Sequence, residues 1–341
     1  MEELTPRQRQ ILELIVREYI ASAVPVGSAT IAGRLSPPVS AATIRNEMAV
    51  LEEHGYIAQP HTSAGRIPTD RGYRFFVESV MEQTPDLTLL ERRMIQHQFH
   101  QIRLNLDQWA RLAAAVLAQT AQSTALVATP QSRECRFKYT QLIGVQDLIA
   151  LLILVLQGGM VRQQMIAFPN PIGQEVFVQV TNHLNALYHD ATRREIRERA
   201  VGLLPLEEEV TNYLLDMMAR VDERESAEVY RDGLIHILSQ PEFAQTERLR
   251  CILEILEQRN LINQLLAPAW SAPGVKVIIG SESTLDQMHD YSLVLSRYGV
   301  EDVATGVLGV MGPTRMRYER AISAVRYMAE IMNTLLRDLY E

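Results

Sequence analysis

The residues best suited to chemistry lie between Ser40 and Arg66. Thr43, Arg45 and Asn46 sit together in a stretch of helical periodicity. An arginine fork bridges guanine O6 and N7, and an asparagine amide bridges adenine N6 and N7, so these types on one outward face suit the reading of base edges. Ser40, just ahead of them, has the side chain of a helix N-cap, and a helix start also lies well for a phosphate. Further on, His61, Thr62, Ser63 and Arg66 gather in a run of turn-forming residues, where they would form the tip of a hairpin. Each has a plainer alternative: a cap and nothing more, a solvated helix face, an ordinary surface histidine.

Those side chains need a helix and a hairpin to hold them. Ile44, Met48 and Leu51 follow the i, i+4, i+7 spacing of an inward stripe, which leaves Ala42, Asn46 and Ala49 on a small, polar outer face. Gly55 ends the helix. Tyr56-Ile57-Ala58 then reads as a rising strand, Pro60 to Gly65 as the tip and Arg66-Ile67 as the return, with positive φ expected at Gly65. Upstream, Thr5-Pro6-Arg7-Gln8 has the form of a capping box opening a first helix. Val24 to Gly27 stops that helix, and Ser28 is placed to cap a second from Ala29 to Leu35. Three short helices and a hairpin make a winged helix-turn-helix, the docking unit of many major-groove readers. Arg71 and Arg74 follow Thr69, the expected cap of the next helix, and read as partners of Asp70 and Glu78 rather than as site residues.

Three segments carry a family resemblance: VPVGSATIA, SAATIRNEMAVLEEHGYIAQPHTSAGRIPTDRGYRFFV and, far downstream, GVLGVMGPTRMRYERAI. With them the chain resembles the HrcA family of heat-inducible transcription repressors. The resemblance implies a homodimer bound to an inverted-repeat duplex operator, the CIRCE element, with activity modulated by the GroEL chaperonin. It also implies a GAF-like domain interrupted by an inserted dimerisation domain.

The rest of the chain reads as α+β. A heptad seam runs from Ile95 through Phe99, Ile102, Leu106, Trp109, Ala113 and Val116 to Thr120, predicting one long helix, either paired with a partner or packed on its own domain. Strands are expected at Ala125 to Val127, Phe137 to Val145, Leu148 to Leu156 and Met160 to Phe168. Gln157-Gly158-Gly159 should make a hairpin turn, since it lacks the spacing of a phosphate loop. The continuous apolar run Leu148 to Leu156 predicts a central strand, and it is about half the roughly 20 residues that a membrane helix needs. Gly173 to Ala267 reads as wholly helical. Strands resume at Val275 and Val303, and Gly312 to Tyr318 should turn into a last helix capped by Thr314, with Arg315 and Arg317 paired to acids. The expected domains are 1–82 (winged helix), 88–170 and 271–341 (the two GAF-like parts), and 171–270 (the helical insert).

Of 341 residues 47% are hydrophobic and 22% charged, as in ordinary globular proteins. The net charge of −8 is uneven. Residues 1–80 hold 8 Arg against 9 acids, whereas residues 171–270 hold 10 Arg against 17 acids, so the acidic block should lie away from any nucleic acid. Phosphate contacts must then come from a few placed arginines and backbone amides rather than from a broad basic field. Met1 to Leu4 does not read as a signal peptide, which makes a cytoplasmic protein the expectation. Cys135 and Cys251 are far apart and outside any CxxC, and His97 and His100 lack a third ligand, so neither metal nor cofactor is expected. With no GxSxG, HExxH or DxDxDG motif, an enzyme is not expected. The alternative to a chaperonin-responsive repressor is a winged-helix regulator whose GAF-like domain takes a small-molecule effector.

Overall fold

The computed structural model describes residues 4–61, 64–83, 86–101, 105–131, 135–222, 228–244, 246–270, 274–301 and 303–340. The chain opens with helices α1 (Pro6–Ser22), α2 (Ser28–Ala32) and α3 (Ala41–Glu53), strands β1 (Ile57–Ala58) and β2 (Ile67–Pro68), and helix α4 (Asp70–Gln83). Helices α5 (Leu89–His100) and α6 (Leu106–Ala121) follow, then strands β3 (Thr124–Ala128), β4 (Phe137–Gln146), β5 (Ile149–Leu156) and β6 (Val161–Ala167). Next come α7 (Gln174–Tyr188), α8 (Arg193–Arg199), α9 (Pro205–Asp222), β7 (Val229–Asp232), α10 (Leu234–Leu238), α11 (Thr246–Glu257) and α12 (Arg259–Trp270). Strands β8 (Val275–Ile279), β9 (Tyr291–Val300) and β10 (Ala304–Pro313) lead into the last helix, α13 (Tyr318–Tyr340). The class is α+β with antiparallel sheets.

Two compact units divide the chain: residues 1–129, 229–298 and 306–335 form one, and residues 130–228, 299–305 and 336–341 the other. In the first, five strands run in the order β7-β3-β10-β9-β8. Every residue of β3 is buried and nearly every one of β10, so the sheet centre is covered on both faces. Helix α6 packs on β3 and β7 through a stripe of small and bulky apolar residues that includes Trp109, Ala113 and Leu117. The buried Tyr298 hydroxyl on β9 donates to the Ala128 carbonyl at 2.7 Å, tying two non-neighbouring strands together.

The second unit is a three-stranded sheet, β4-β5-β6, with its inner face on α7, α8 and α9. Phe137, Leu142, Leu152, Leu154 and Ile166 pack there with Phe177, Leu184, Tyr188, Val210 and Leu214. Two amide side chains of α7 work as a substitute neighbour for β4. Asn185 accepts from the Thr140 amide at 2.7 Å and donates to its carbonyl at 2.9 Å; Gln174 does the same for Gly144 N–H and the Leu142 carbonyl. An edge strand is thereby closed to further pairing at those positions.

Several expectations change. The helix expected across the heptad seam divides into α5 and α6, because Asn105 Oδ1 accepts from the Asp107 and Gln108 amides and so starts a new helix; Ile102 lies outside the described residues. Gly27, not Ser28, occupies the cap position of α2, without a side-chain bond. Strand β7 interrupts the stretch read as wholly helical, and Thr314 stands four residues ahead of α13, which starts at Tyr318, rather than at its cap position. β5 is central, as its apolar run predicts, but its burial alternates. Strands β4 to β6 bury their apolar side on helices 174–222. Among the described residues no helix is long and apolar enough to cross a membrane, and no group of three or more His, Cys, Asp or Glu is placed to hold a metal ion.

Candidate nucleic-acid interface

The interface is built on α1. Its expected capping box is present, with Gln8 N–H on Thr5 Oγ1 at 3.3 Å and Thr5 N–H on Gln8 Oε1 at 2.9 Å. Ile11, Leu12, Ile15 and Val16 are fully buried under it, and the inward side chains of α3, Ile44, Met48 and Leu51, are buried as the spacing requires. Burial of each such side chain stabilises by about 1.5–3 kcal/mol, which fixes the rotation of α3 about its own axis.

With Ile44, Met48 and Leu51 inside, Ala42, Arg45, Asn46 and Ala49 are exposed and Thr43 is half-exposed. Among the described residues Arg45 forms no ion pair. At the helix start the exposed Ser40 accepts from Thr43 N–H at 3.1 Å, and its hydroxyl lies 2.9 Å from the Thr43 hydroxyl. The first two amides of the helix, Ala41 and Ala42, have no carbonyl one turn back to bind, as at any helix start. A cap that is already satisfied, two forward-facing amides and an arginine–asparagine pair form one continuous outward surface.

The hairpin beside α3 is β1 against β2, with Ile57 opposite Pro68 and Ala58 opposite Ile67. A third segment joins it: Val26 and Arg66 exchange backbone hydrogen bonds of 2.8 and 2.9 Å. Sequence reading takes Val24 to Gly27 as a helix stop alone and misses this pairing, although its β-branched residues were the available signal. The pairing also corrects Gly65. Its φ is not positive; instead a Cβ there would fall 2.5 Å from the carbonyl carbon and oxygen of Val26, so glycine is needed for close approach of two backbones.

The expected tip residues divide. His61 is exposed, and its carbonyl accepts from Ala64 N–H at 2.8 Å. Thr62 and Ser63 lie outside the described residues. Arg66 is held inside the fold, its guanidinium 2.8 Å from the carboxylate of Glu52 on α3 and its side chain only 19% exposed. It therefore joins the hairpin to α3, a role for Glu52 that the sequence reading misses. Arg71 and Arg74 do not pair with Asp70 and Glu78. Arg71 donates to the His54 carbonyl and covers the Tyr56 ring, and Arg74 meets Glu282.

The family model for the HrcA protein C-terminal domain matches residues 107–322. Over 99% of this chain and 96% of its own length, a heat-inducible transcription repressor HrcA from Roseiflexus castenholzii is 45% identical. One of the same description from Dehalococcoides mccartyi is 43% identical over 99% of this chain and 97% of its own. The chain belongs to the HrcA family. A solved structure described only as a hypothetical protein covers 99% of this HrcA chain and all of its own, at a TM-score of 0.64 and 24% identity, and so shares its fold. The family model covers the region after α5, whereas the outward face of α3 lies before it, so the candidate interface rests on its own geometry.

Proposed function

We propose that this protein is a heat-inducible transcriptional repressor whose first 82 residues form a winged helix. The outer face of α3 enters the major groove of a duplex operator, and the hairpin follows the backbone. The observation that carries this reading is the surface of Ser40, Thr43, Arg45 and Asn46 beside small, exposed Ala42 and Ala49, a shape that admits base edges to within bonding distance. Arg45 and Asn46 read bases, while Ser40, Thr43 and the helix-start amides hold phosphate. His61, with Thr62 and Ser63, meets the backbone or the minor groove, and Arg66 supports the wing through Glu52.

An inverted-repeat operator such as CIRCE calls for a two-fold symmetric homodimer. The outer face of the β4-β5-β6 sheet supports one. Tyr139, Ile143, Val161 and Met165 are exposed there, in register with half-buried Leu151 and Val155, while half-buried Ile153 lies between Gln141 and Gln163. Residues 171–270 carry the excess acid, which suits a dimerisation region held off the DNA. GroEL raises the population of the binding-competent dimer and loses that role when heat fills it with unfolded clients. A small-molecule effector has less support. A cavity of about 370 Å³ lies between Ile20 to Ala23, Ala121 to Ser123 and Pro313 to Arg317, yet the Arg315 guanidinium in it is already occupied by Glu242 and Gln240.

The test is fluorescence anisotropy of a labelled inverted-repeat duplex across a salt series, beside a duplex with one half-site scrambled. Tight, salt-dependent binding lost on scrambling is expected, and added GroEL should tighten it. Equal binding to both duplexes would reduce the protein to a generic DNA-binding module.

A further inference from the structure

We infer that Asp70 and Arg74 of α4 are positioning residues that set the direction in which α3 faces, and with it the half-site spacing the protein accepts. This rests on the DNA reading above. Helix α4 leaves the hairpin directly after β2, and its first turn grips the turn that follows β8. The Asp70 carboxylate accepts from both the amide and the hydroxyl of Ser281, at 2.8 and 2.7 Å. Gly280 beside it has φ +47°, and a Cβ there would fall 2.5 Å from an Asp70 oxygen, so the turn is notched to receive that carboxylate. One helical turn on, Arg74 donates from Nε to Glu282 at 2.6 Å, from Nη2 to the other Glu282 oxygen, and from Nη2 to the Val277 carbonyl at 2.7 Å. Glu282 is itself held by the Ile279 amide at 2.9 Å.

A forked arginine on a braced carboxylate fixes orientation as well as contact. Helix α1 is gripped too, by Arg17 on Glu319 at 2.6 Å and by Arg315, which donates to the Ile20 carbonyl while held by Glu242. Since α3 packs on α1 and is joined to it by Gln8 and Glu47, the pose of the reading face is inherited from these grips. An α3 on a loose tether would tolerate varied spacing with reduced avidity; a fixed α3 gains full avidity at one spacing alone.

The test uses the full-length chain and inverted-repeat duplexes with the half-site separation changed by one and two base pairs, beside a single half-site duplex. Wild-type affinity should peak sharply at one separation. In the double variant Asp70→Ala, Glu282→Ala that peak should fall by about tenfold and the profile flatten, with single half-site affinity unchanged to about twofold. Exchange of the Ile279 and Ser281 amides, slow in the wild type, should quicken in the same variant. Should the double variant not fold, Arg74→Lys, which keeps the charge and loses the fork, should flatten the profile in part. A folded variant with the wild-type profile would overturn the positioning role and leave DNA binding intact. No wild-type binding to any inverted repeat would overturn the DNA reading and this inference with it.

Discussion

Gly65→Ala is a sharp test of how the hairpin is attached. The added methyl would meet the backbone of Val26 at 2.5 Å and of Pro25 at 2.8 Å, and backbone, unlike a flexible side chain, has nowhere to turn. Two responses compete. If the strands hold, the overlap costs about 1–3 kcal/mol, as overpacking does in cores. If they part, the two Val26–Arg66 hydrogen bonds are lost at about 0.5–1.5 kcal/mol each. The cheaper route prevails, so the loss should be about 2 kcal/mol, a fall in melting temperature of about 4–8 °C for a unit of this size. Thermal unfolding followed by circular dichroism measures it, with operator affinity alongside. Gly65→Asn separates the causes. Were glycine present for a left-handed backbone, Asn would be tolerated better than Ala; with close approach as the cause, the larger Asn should be at least as harmful. Asn better than Ala, or an unchanged melting temperature for Ala, would refute the reasoning.

Arg45→Ala should leave stability unchanged and weaken operator binding by about 1–3 kcal/mol in an anisotropy titration; equal loss on random duplex would reassign it from base to phosphate. Among the described residues the buried Tyr73 hydroxyl, beside the Tyr318 ring, has no hydrogen-bond partner, so Tyr73→Phe should raise stability by about 1 kcal/mol in a denaturant titration, and a loss would mean the hydroxyl is satisfied. Met165→Glu on the outer sheet face, where Met165 is 52% exposed, should weaken self-association at least about tenfold in sedimentation without lowering the monomer's stability; an intact dimer would move the interface elsewhere. Burial raises the hydroxyl pKa of Tyr73, Tyr298 and Tyr318 above the ordinary tyrosine value of about 10. Folding therefore binds their protons more tightly, and their contribution is full below about pH 10 and lost as pH climbs past it. Melting temperatures should decline from there upward, and a melting temperature unchanged as pH rises past about 10 would contradict the shift.

Much of the interface was legible because its signals are local. The Thr5 capping box, the Ile44-Met48-Leu51 stripe and the Gly55 stop each specify structure within one or two helical turns. What escaped depends on partners distant in sequence. Nothing near Arg66 announces Glu52, nothing near Gly65 announces Val26, and Arg74 finds its acid in Glu282 rather than in nearby Glu78. The strands β4 to β6 were recognised as strands by their apolar runs and the Gly-Gly turn. Their packing on helices 174–222 is not legible, because an apolar run states that a face is buried without stating against what. The alternation in β5 was hidden for a related reason: both its faces are apolar, so composition could not distinguish the inner Leu152 and Leu154 from half-buried Leu151 and Ile153.

The place of β3 in its sheet also dictates a timetable for synthesis. Both strands that flank it lie downstream: Ala128 pairs with Val229, and Val127 with Leu308 near the far end of the chain. As the chain leaves the ribosome, Thr124 to Ala128 waits as an unpaired apolar ribbon while all the intervening residues are made. Contacts spanning so much chain form late, and exposed strands of this kind invite association with other chains in the interval. Each new copy thus passes through a vulnerable period that shortens when residues 229–232 are made and ends only when residues 304–313 follow, and the supply of folded protein depends on what shields that ribbon in the interval.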